Sequence, residues 1–182
     1  MTQTLRVLVA TLFLVPLTAT PSALEQPDWI PERLRVPAGH EVLLRASAVG
    51  VQIYGCRATK NGGFEWVFRA PEAALFRGNV ELTGTHYAGP NWQARDGSRV
   101  FGMRIESSDA PNPSSIPWLL LQAVSHEGSG IFSNVTYIQR LLTGGGVAPA
   151  PSTCDAAHEG DEARVEYIAA YYFYVEAPTT EK

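Results

Sequence analysis

The sequence predicts an all-β fold, a single-domain antiparallel sandwich or barrel with one short helical turn. The first observation is that apolar and polar residues alternate with a period of two along several short runs, as they do in half-buried strands. The second is that turn-forming residues recur at intervals of roughly 8–12 residues. The length of 182 residues fits one domain, and a hydrophobic content of 45% excludes wholesale disorder.

Three runs show the alternation most clearly. In residues 64–69, Phe64, Trp66 and Phe68 share one side of the predicted strand. Residues 99–105 and 163–175 follow the same period. Further predicted strands comprise residues 42–48, 51–56, 80–87, 118–125 and 135–142.

Turn chemistry separates these strands. An Asn-Gly-Gly run at residues 61–63 and an Asp-Gly pair at residues 96–97 favour β-hairpins. Residues 71–76 differ, because Pro71 suits the first position of a helix and Glu72 suits its positive end. We therefore expect the one helical turn at residues 71–76.

Two predicted strands are apolar on both faces and must be covered on both sides. They comprise residues 118–121 and 168–175, the second with a Tyr-Tyr-Phe-Tyr cluster. The cover could be a second sheet together with the loop at residues 144–152, or another subunit. Three interpretations of these strands therefore stay open. They are central strands of a sandwich, they form a homodimer interface, or they line an apolar ligand cavity.

The beginning of the chain has the pattern of a secretory signal. Arg6 precedes an apolar stretch of 11 residues at positions 7–17, whereas about 20 residues are needed to cross a bilayer. The alternative, a buried first helix, conflicts with Pro16 and Pro21. We expect a signal peptide at 1–23, a Pro-rich coil at 24–39, a β domain at 40–176 and a disordered tail at 177–182. The mature protein would then be secreted or periplasmic, without a membrane span.

Cys56 and Cys154 both lie in the predicted mature part. In an oxidising compartment two cysteines most simply form one disulfide, here across 98 residues. A reactive or metal-binding thiol is the alternative, but neither cysteine has a partner in a Cys-x-x-Cys motif.

Charge and motif content exclude several functions. The net charge of −4 provides no basic surplus to replace the counterions of a nucleic acid. The four histidines are widely spaced, and no dinucleotide-binding fingerprint lies between a strand and a helix. We therefore expect no nucleic-acid partner, no metal and no cofactor.

The densest group of polar functional side chains lies at residues 84–98. His86 shares its predicted face with Val80 and Leu82, so an inward-facing strand would bury its imidazole. Asp96 is the candidate hydrogen-bond partner across the turn. The pair would then orient a catalytic general base or a ligand contact. The alternative is a structural histidine that fixes the loop.

The same segment contains three candidate ligand-binding residues. Trp92 lies in a Gly- and Pro-rich loop, so we expect it to be exposed and able to stack on a ligand. Tyr87 and Ser98 are the other two candidates. A triad of His86, Asp96 and Ser98 would require a single hairpin to present all three side chains.

A series of short motifs runs along the chain. They are Tyr54-x-Cys56, Pro71-Glu72-Ala73-x-Leu75-Phe76, Gly84-Thr85-His86, Gly89-Pro90-x-Trp92, Asp96-Gly97-Ser98, Ile116-Pro117-Trp118-Leu119-Leu120-Leu121, Val135-Thr136-Tyr137-Ile138-Gln139-Arg140, Thr143-x-Gly145-Gly146, Cys154 and Tyr167-x-Ala169-x-Tyr171-Tyr172-Phe173-Tyr174. This series resembles a family of small secreted bacterial and fungal proteins that is classed as a domain of unknown function. The resemblance runs from about Pro37 to Val175 and implies no reaction, cofactor or catalytic residue.

Three functions are compatible with the sequence. The first is a secreted β-domain that binds a small ligand, a glycan or an envelope partner. The second is an extracytoplasmic hydrolase or isomerase that uses His86 and Asp96. The third is a structural or surface protein, with residues 169–175 as a homodimer interface.

Overall fold

The computed structural model describes residues 26–78 and 81–178, which form a closed barrel of eight antiparallel strands. Each strand pairs with its neighbours in the chain, and the last strand pairs with the first. The all-β prediction is therefore confirmed, and the architecture is a barrel. The strands are β1 (His40–Ala58), β2 (Phe64–Arg77), β3 (Glu81–Tyr87), β4 (Asn91–Ala94), β5 (Arg99–Ser108), β6 (Trp118–Glu127), β7 (Tyr137–Gly145) and β8 (Glu162–Glu176).

The helical turn predicted at residues 71–76 is wrong, because this segment belongs to β2. Pro71, Ala73 and Leu75 are buried, so the segment alternates inward and outward and contributes to the core. Pro71 pairs with Gln52 of β1, but the pairing of β2 with β3 begins only at Ala73, so the strand has a partner on one side at Pro71 and tolerates the missing amide there. The only helical turns in the described ranges are 3-10 turns at Glu32–Leu34 and Pro151–Thr153.

Aromatic side chains fill the interior of the barrel. Trp92, Tyr171 and Phe173 are buried and contact one another edge-to-face or at a tilt. Gly102 provides the space for the indole, since a Cβ at this position would lie 3.0 Å from Cζ3 of Trp92. An inward-facing glycine on β5 thus makes room for a large aromatic side chain from the neighbouring strand β4.

The outer face of β6, β7 and β8 is covered by the chain that precedes β1. Ile30, Leu34 and Val36 of this segment are buried in a second apolar cluster. The residues of the barrel wall in the same cluster are Val42, Trp118, Leu120, Leu141, Ala170, Tyr172 and Tyr174. The sequence suggested a second sheet with the loop at residues 144–152, or another subunit, as the cover. On this outer face the cover is the N-terminal segment instead.

Gln139 fixes this N-terminal segment to the barrel. Its Nε2 donates hydrogen bonds to the Leu34 carbonyl oxygen at 2.6 Å and to Oε1 of Gln26 at 3.1 Å. Its Oε1 accepts a hydrogen bond of 2.5 Å from the Tyr174 hydroxyl. Because Gln139 is fully buried, these bonds satisfy polar atoms that would otherwise be costly to bury.

The predicted disulfide between Cys56 and Cys154 is confirmed. It joins the end of β1 to the connection between β7 and β8, with Cα atoms 5.5 Å apart. Neither cysteine is free for catalysis or for metal binding.

The ends of the chain lie partly beyond the described ranges. The predicted signal at 1–23 is outside them, and so are residues 179–182 of the predicted tail. The amide of Ala177 donates a hydrogen bond to the Gly39 carbonyl oxygen at 2.9 Å. No helix in the described part of the chain is long and apolar enough to cross a membrane.

Replacing Cys56 and Cys154 together by serine should lower the free energy of unfolding by up to about 4.7 kcal/mol, because the bridge restricts a long loop in the unfolded chain. Urea denaturation of both oxidised proteins measures the difference. Reductant should then lower the stability of the wild type to that of the variant and leave the variant unchanged. Equal stability of the oxidised proteins would contradict the expectation.

Leu34→Ala should lower the free energy of unfolding by about 2–5 kcal/mol, because it opens a cavity under the N-terminal cover. The control is Leu82→Ala, since Leu82 is 40% exposed and its replacement should cost far less. Urea denaturation of the two variants checks this. Similar losses in both would show that the cover contributes little to stability.

Candidate functional site

A cavity of about 400 Å³ opens at the end of the barrel that carries the turn between β3 and β4. Strands β2 to β8 all contribute to its wall, so the cavity is the open part of the barrel interior. The lining residues are Phe68, Arg69, Pro71, His86, Gly89, Pro90, Trp92, Arg104, Leu119, Leu121, Arg140 and Tyr171. This volume lies within the range of small-molecule sites.

Three aromatic rings form the buried side of the cavity. His86 and Trp92 lie opposite each other on β3 and β4, and their rings stack at 4.5 Å with an interplanar angle of 6°. Tyr171 on β8 meets the two rings edge-on, at 5.1 Å from His86 and 5.5 Å from Trp92. This arrangement holds the imidazole in one orientation.

The hydrogen bond of His86 determines the proton position on its ring. Its Nδ1 lies 2.9 Å from the Asn91 carbonyl oxygen, which can only accept, so Nδ1 carries the proton. Burial lowers the pKa of His86 to about 3, the Arg140 charge acts in the same direction, and the bond to Asn91 opposes the shift. At neutral pH the imidazole is therefore uncharged, and its Nε2 is a hydrogen-bond acceptor.

Two other cavity residues carry buried polar atoms. Nε1 of Trp92 has no hydrogen-bond partner among the described residues, whereas the hydroxyl of Tyr171 lies beside the side chains of Tyr167 and Arg140. Burial raises the pKa of Tyr171, although the nearby Arg140 guanidinium opposes this shift. The hydroxyl therefore stays protonated at neutral pH. Both polar atoms are fully buried, so they lie behind the surface of the cavity and not on it.

Three arginines line the same cavity. Arg140 on β7 lies opposite Tyr171 in the pairing with β8, and its Nε and Nη2 donate to the Pro117 carbonyl oxygen at 3.2 and 2.8 Å. Arg69 occupies the bulge of β2, and Arg104 on β5 pairs with Leu121. No aspartate or glutamate of the described residues lines this cavity.

Asp96 and Ser98 take part in a different structure, the hairpin between β4 and β5. Oδ1 of Asp96 accepts hydrogen bonds from the Ser98 amide at 2.9 Å and the Ser98 hydroxyl at 2.6 Å, and Oδ2 accepts one from the Ile131 amide at 2.7 Å. The Ser98 hydroxyl accepts a bond of 3.1 Å from the Phe132 amide. These bonds fasten the loop after β6 to the hairpin, and they lower the pKa of Asp96.

His86 and Asp96 therefore do not form the hydrogen bond that we expected between them. His86 bonds to Asn91 near the start of β4, whereas Asp96 lies beyond the end of this strand. Ser98 is hydrogen-bonded to Asp96 and not to His86, so His86, Asp96 and Ser98 form no triad in this arrangement. Catalytic roles for His86 and Asp96 stay predictions.

The outcome differs among the remaining predicted residues. Trp92 does line the cavity, but the prediction of an exposed side chain is wrong, since it is 1% exposed. Tyr87 is half-buried and donates to Oε1 of Gln93, and it is not among the residues that line this cavity. Ligand contacts by Tyr87 and Ser98 stay predictions.

The face assigned to His86 needs one correction. The pairing of β2 with β3 shifts register between Leu75 and Phe76, and this bulge separates the face of His86 from that of Leu82. His86 is buried while Leu82 is 40% exposed. Val80, which the alternation assigns to the same face, lies outside the described residues.

Sequence reasoning missed the three arginines and Tyr171. Arg104 alternates with Phe101 and Met103, and this spacing could have placed it on the face of Gly102. No signal in the sequence showed that this face is the inner one. Among the described residues, no group of three or more His, Cys, Asp or Glu side chains could hold a metal ion.

Fold and cavity together define a small antiparallel β-barrel protein whose interior opens into a cationic, partly apolar cavity. The family described as "Protein of unknown function (DUF3455)" matches residues 37–175, and the chain belongs to this family. This match confirms that the chain resembles a family of unknown function. No curated protein and no solved structure matches the chain.

His86→Gln should make the protein less sensitive to acid. The pKa of His86 is about 3 in the folded state, against 6.5 for an unperturbed histidine, so the unfolded state takes up the proton first and stability falls as pH decreases below 6.5. This loss is about 1.4 kcal/mol per pH unit. Urea denaturation between pH 6.5 and about pH 4.5 should give a shallower decline for the variant.

The control for this experiment is His158→Gln. The pKa of His158 is raised by its hydrogen bond to Asp155, so its contribution is present at low pH and is lost as pH rises. Removing it should not flatten the loss of stability in acid. A decline in His86→Gln as steep as in the wild type would contradict a buried, neutral imidazole.

Proposed function

We propose that this protein binds a small molecule in the barrel cavity and does not catalyse a reaction on it. The observation that carries the proposal is the cavity itself, which is large enough for a small molecule and has an aromatic side of fixed geometry. His86 also lines the cavity, and because its Nδ1 donates to the Asn91 carbonyl oxygen, its Nε2 is left as a hydrogen-bond acceptor.

Binding fits these residues better than catalysis does. An imidazole with a pKa near 3 is a weak general base, because efficient bases have pKa values near the working pH. The Asp96 carboxylate that would raise this pKa is bonded to Ser98 and Ile131 instead. His86 is thus better suited to accept a hydrogen bond from a ligand than to remove a proton.

A small molecule also fits better than a glycan chain or an envelope protein. Trp92 lies at the buried side of the cavity, so it cannot provide the open surface on which a long sugar chain stacks. A homodimer formed by residues 169–175 loses its main argument, because the N-terminal segment already covers Tyr172 and Tyr174.

We place this binding outside the cytoplasm, as a secreted or periplasmic protein. The support is the apolar stretch at residues 7–17, which has the length of a signal sequence, and the disulfide, which persists in oxidising compartments. Export of the tagged protein from its host, followed by sequencing of the mature N-terminus, tests this part.

Binding in the cavity can be tested with phenylnaphthylamine, a neutral dye that fluoresces in apolar sites. We expect saturable binding with one site per chain. Leu119→Trp should weaken it at least about tenfold, because the larger side chain fills the cavity. Leu82→Trp is the control, since Leu82 is exposed outside the cavity and its replacement should leave the affinity unchanged.

Thermal unfolding shows whether each variant is folded. Absence of saturable binding to the wild type would contradict the proposal, and so would equal affinity of the wild type and a folded Leu119→Trp. If Leu82→Trp weakened binding as much as Leu119→Trp, the dye would be bound outside the cavity.

A further inference from the structure

We propose that the ligand is an apolar organic anion, whose carboxylate, sulfonate or phosphate is held by the guanidinium groups of Arg69, Arg104 and Arg140. This inference rests on the proposed function, because it specifies the chemistry of a molecule bound in the same cavity. Its support comes from the charges around the cavity and from the placement of each arginine.

The cavity concentrates positive charge in a chain that is acidic overall. Three of its lining residues are arginines and none of those described is acidic, although the net charge of the protein is −4. A guanidinium stays charged at every physiological pH, so this charge cannot be lost by titration. The cavity therefore attracts anions even though the whole molecule does not.

These arginines also lack the ion pairs that other arginines of the protein form. Arg35, Arg99 and Arg164 each lie within 3.5 Å of a glutamate oxygen. No such pair involves Arg69, Arg104 or Arg140 in residues 26–78 and 81–178. The guanidinium groups at the cavity are therefore available to a negatively charged ligand.

Arg140 is the innermost of the three and is held in place by the backbone. Its two hydrogen bonds to the Pro117 carbonyl oxygen use Nε and Nη2, so the rest of its planar fork has donors to spare. Its charge acts on His86, Tyr54 and Tyr171 by lowering the pKa of each group. An anion beside Arg140 would balance this positive charge inside the barrel.

Arg69 and Arg104 are exposed at the opening. Arg69 lies across Gly55, where a Cβ would come within 2.8 Å of its Nε, so glycine makes room for this side chain. Arg104 faces inward with Leu121, its partner on β6. Arginine is well suited to carboxylates, sulfonates and phosphates because its fork can donate two parallel hydrogen bonds.

The remaining walls require an apolar body on the ligand. Phe68, Pro71, Leu119 and Leu121 provide apolar surface between the arginines and the aromatic side of the cavity. The neutral imidazole of His86 adds a hydrogen-bond acceptor. The cavity thus fits an aromatic acid of one or two rings, and a hydroxyl on the ligand could donate to His86.

Two dyes with the same ring skeleton separate charge from apolar binding. Anilinonaphthalene sulfonate carries a sulfonate, whereas phenylnaphthylamine is neutral. We expect the anion to bind at least about tenfold more tightly than the neutral dye, and to be weakened by salt. Arg104→Gln and Arg69→Gln should each reduce the affinity for the anion about tenfold, and each should reduce the affinity for the neutral dye far less, because that dye has no charge for the guanidinium to hold.

Arg95→Gln is the matched control, because Arg95 is exposed and lies outside the cavity. It should change neither affinity. Both cavity arginines tested are also exposed, and circular dichroism confirms that each variant is folded. Leu119→Trp should weaken both dyes, which shows that they share the cavity.

The outcomes distinguish the two proposals. If neither dye binds, the proposed function itself fails. If the two dyes bind with equal affinity, and Arg104→Gln and Arg69→Gln change neither affinity, the cavity binds small molecules. The inference that its ligand is an anion is then wrong. If Arg95→Gln weakens the anion as much as Arg104→Gln, the sulfonate responds to general surface charge and the inference is also overturned.

Discussion

The structure depends on a strand that is buried on both faces. Tyr171 and Phe173 of β8 face the barrel interior, whereas Tyr172 and Tyr174 face outward, and all four are buried. Closure of the barrel covers the first pair, and the N-terminal segment covers the second. The cavity depends on the same strand, because Tyr171 is one of its three buried rings. Fold and site therefore share one requirement, which is that apolar surface on both sides of β8 is removed from water.

Alternation in the sequence predicts most strands because each is long enough to show its period. For β8 the alternation predicts residues 163–175, and the strand runs from Glu162 to Glu176. The pattern misses β4, since its four residues lie between two turns whose Gly and Pro content dominates the segment. At Pro71 the sequence favours a helix, but burial of alternate residues against the barrel determines the structure.

The site is harder to predict because alternation does not tell which face is inside. Outer residues of β5 such as Met103 and Ile105 are apolar and exposed, whereas the inner face carries Gly102 and Arg104. A rule that places apolar residues inside would therefore assign the inner and outer faces of β5 the wrong way round. The sequence argument for His86 relied on a face shared with Leu82, but a bulge separates the two residues, and Leu82 is exposed. The hydrogen-bond partner of His86 is a backbone carbonyl, which the spacing of side chains along a sequence cannot reveal.

The pairing of the first strand with the last has a consequence for how the chain reaches its native state. His40 pairs with Glu176, so β1 has no partner on one side until almost the whole chain has emerged. During this time β1 and β7 both expose strand edges, which are sites of aggregation. Contacts so distant in sequence also slow folding. A chain that is exported before folding would therefore need protection of these two edges until β8 arrives and completes the ring.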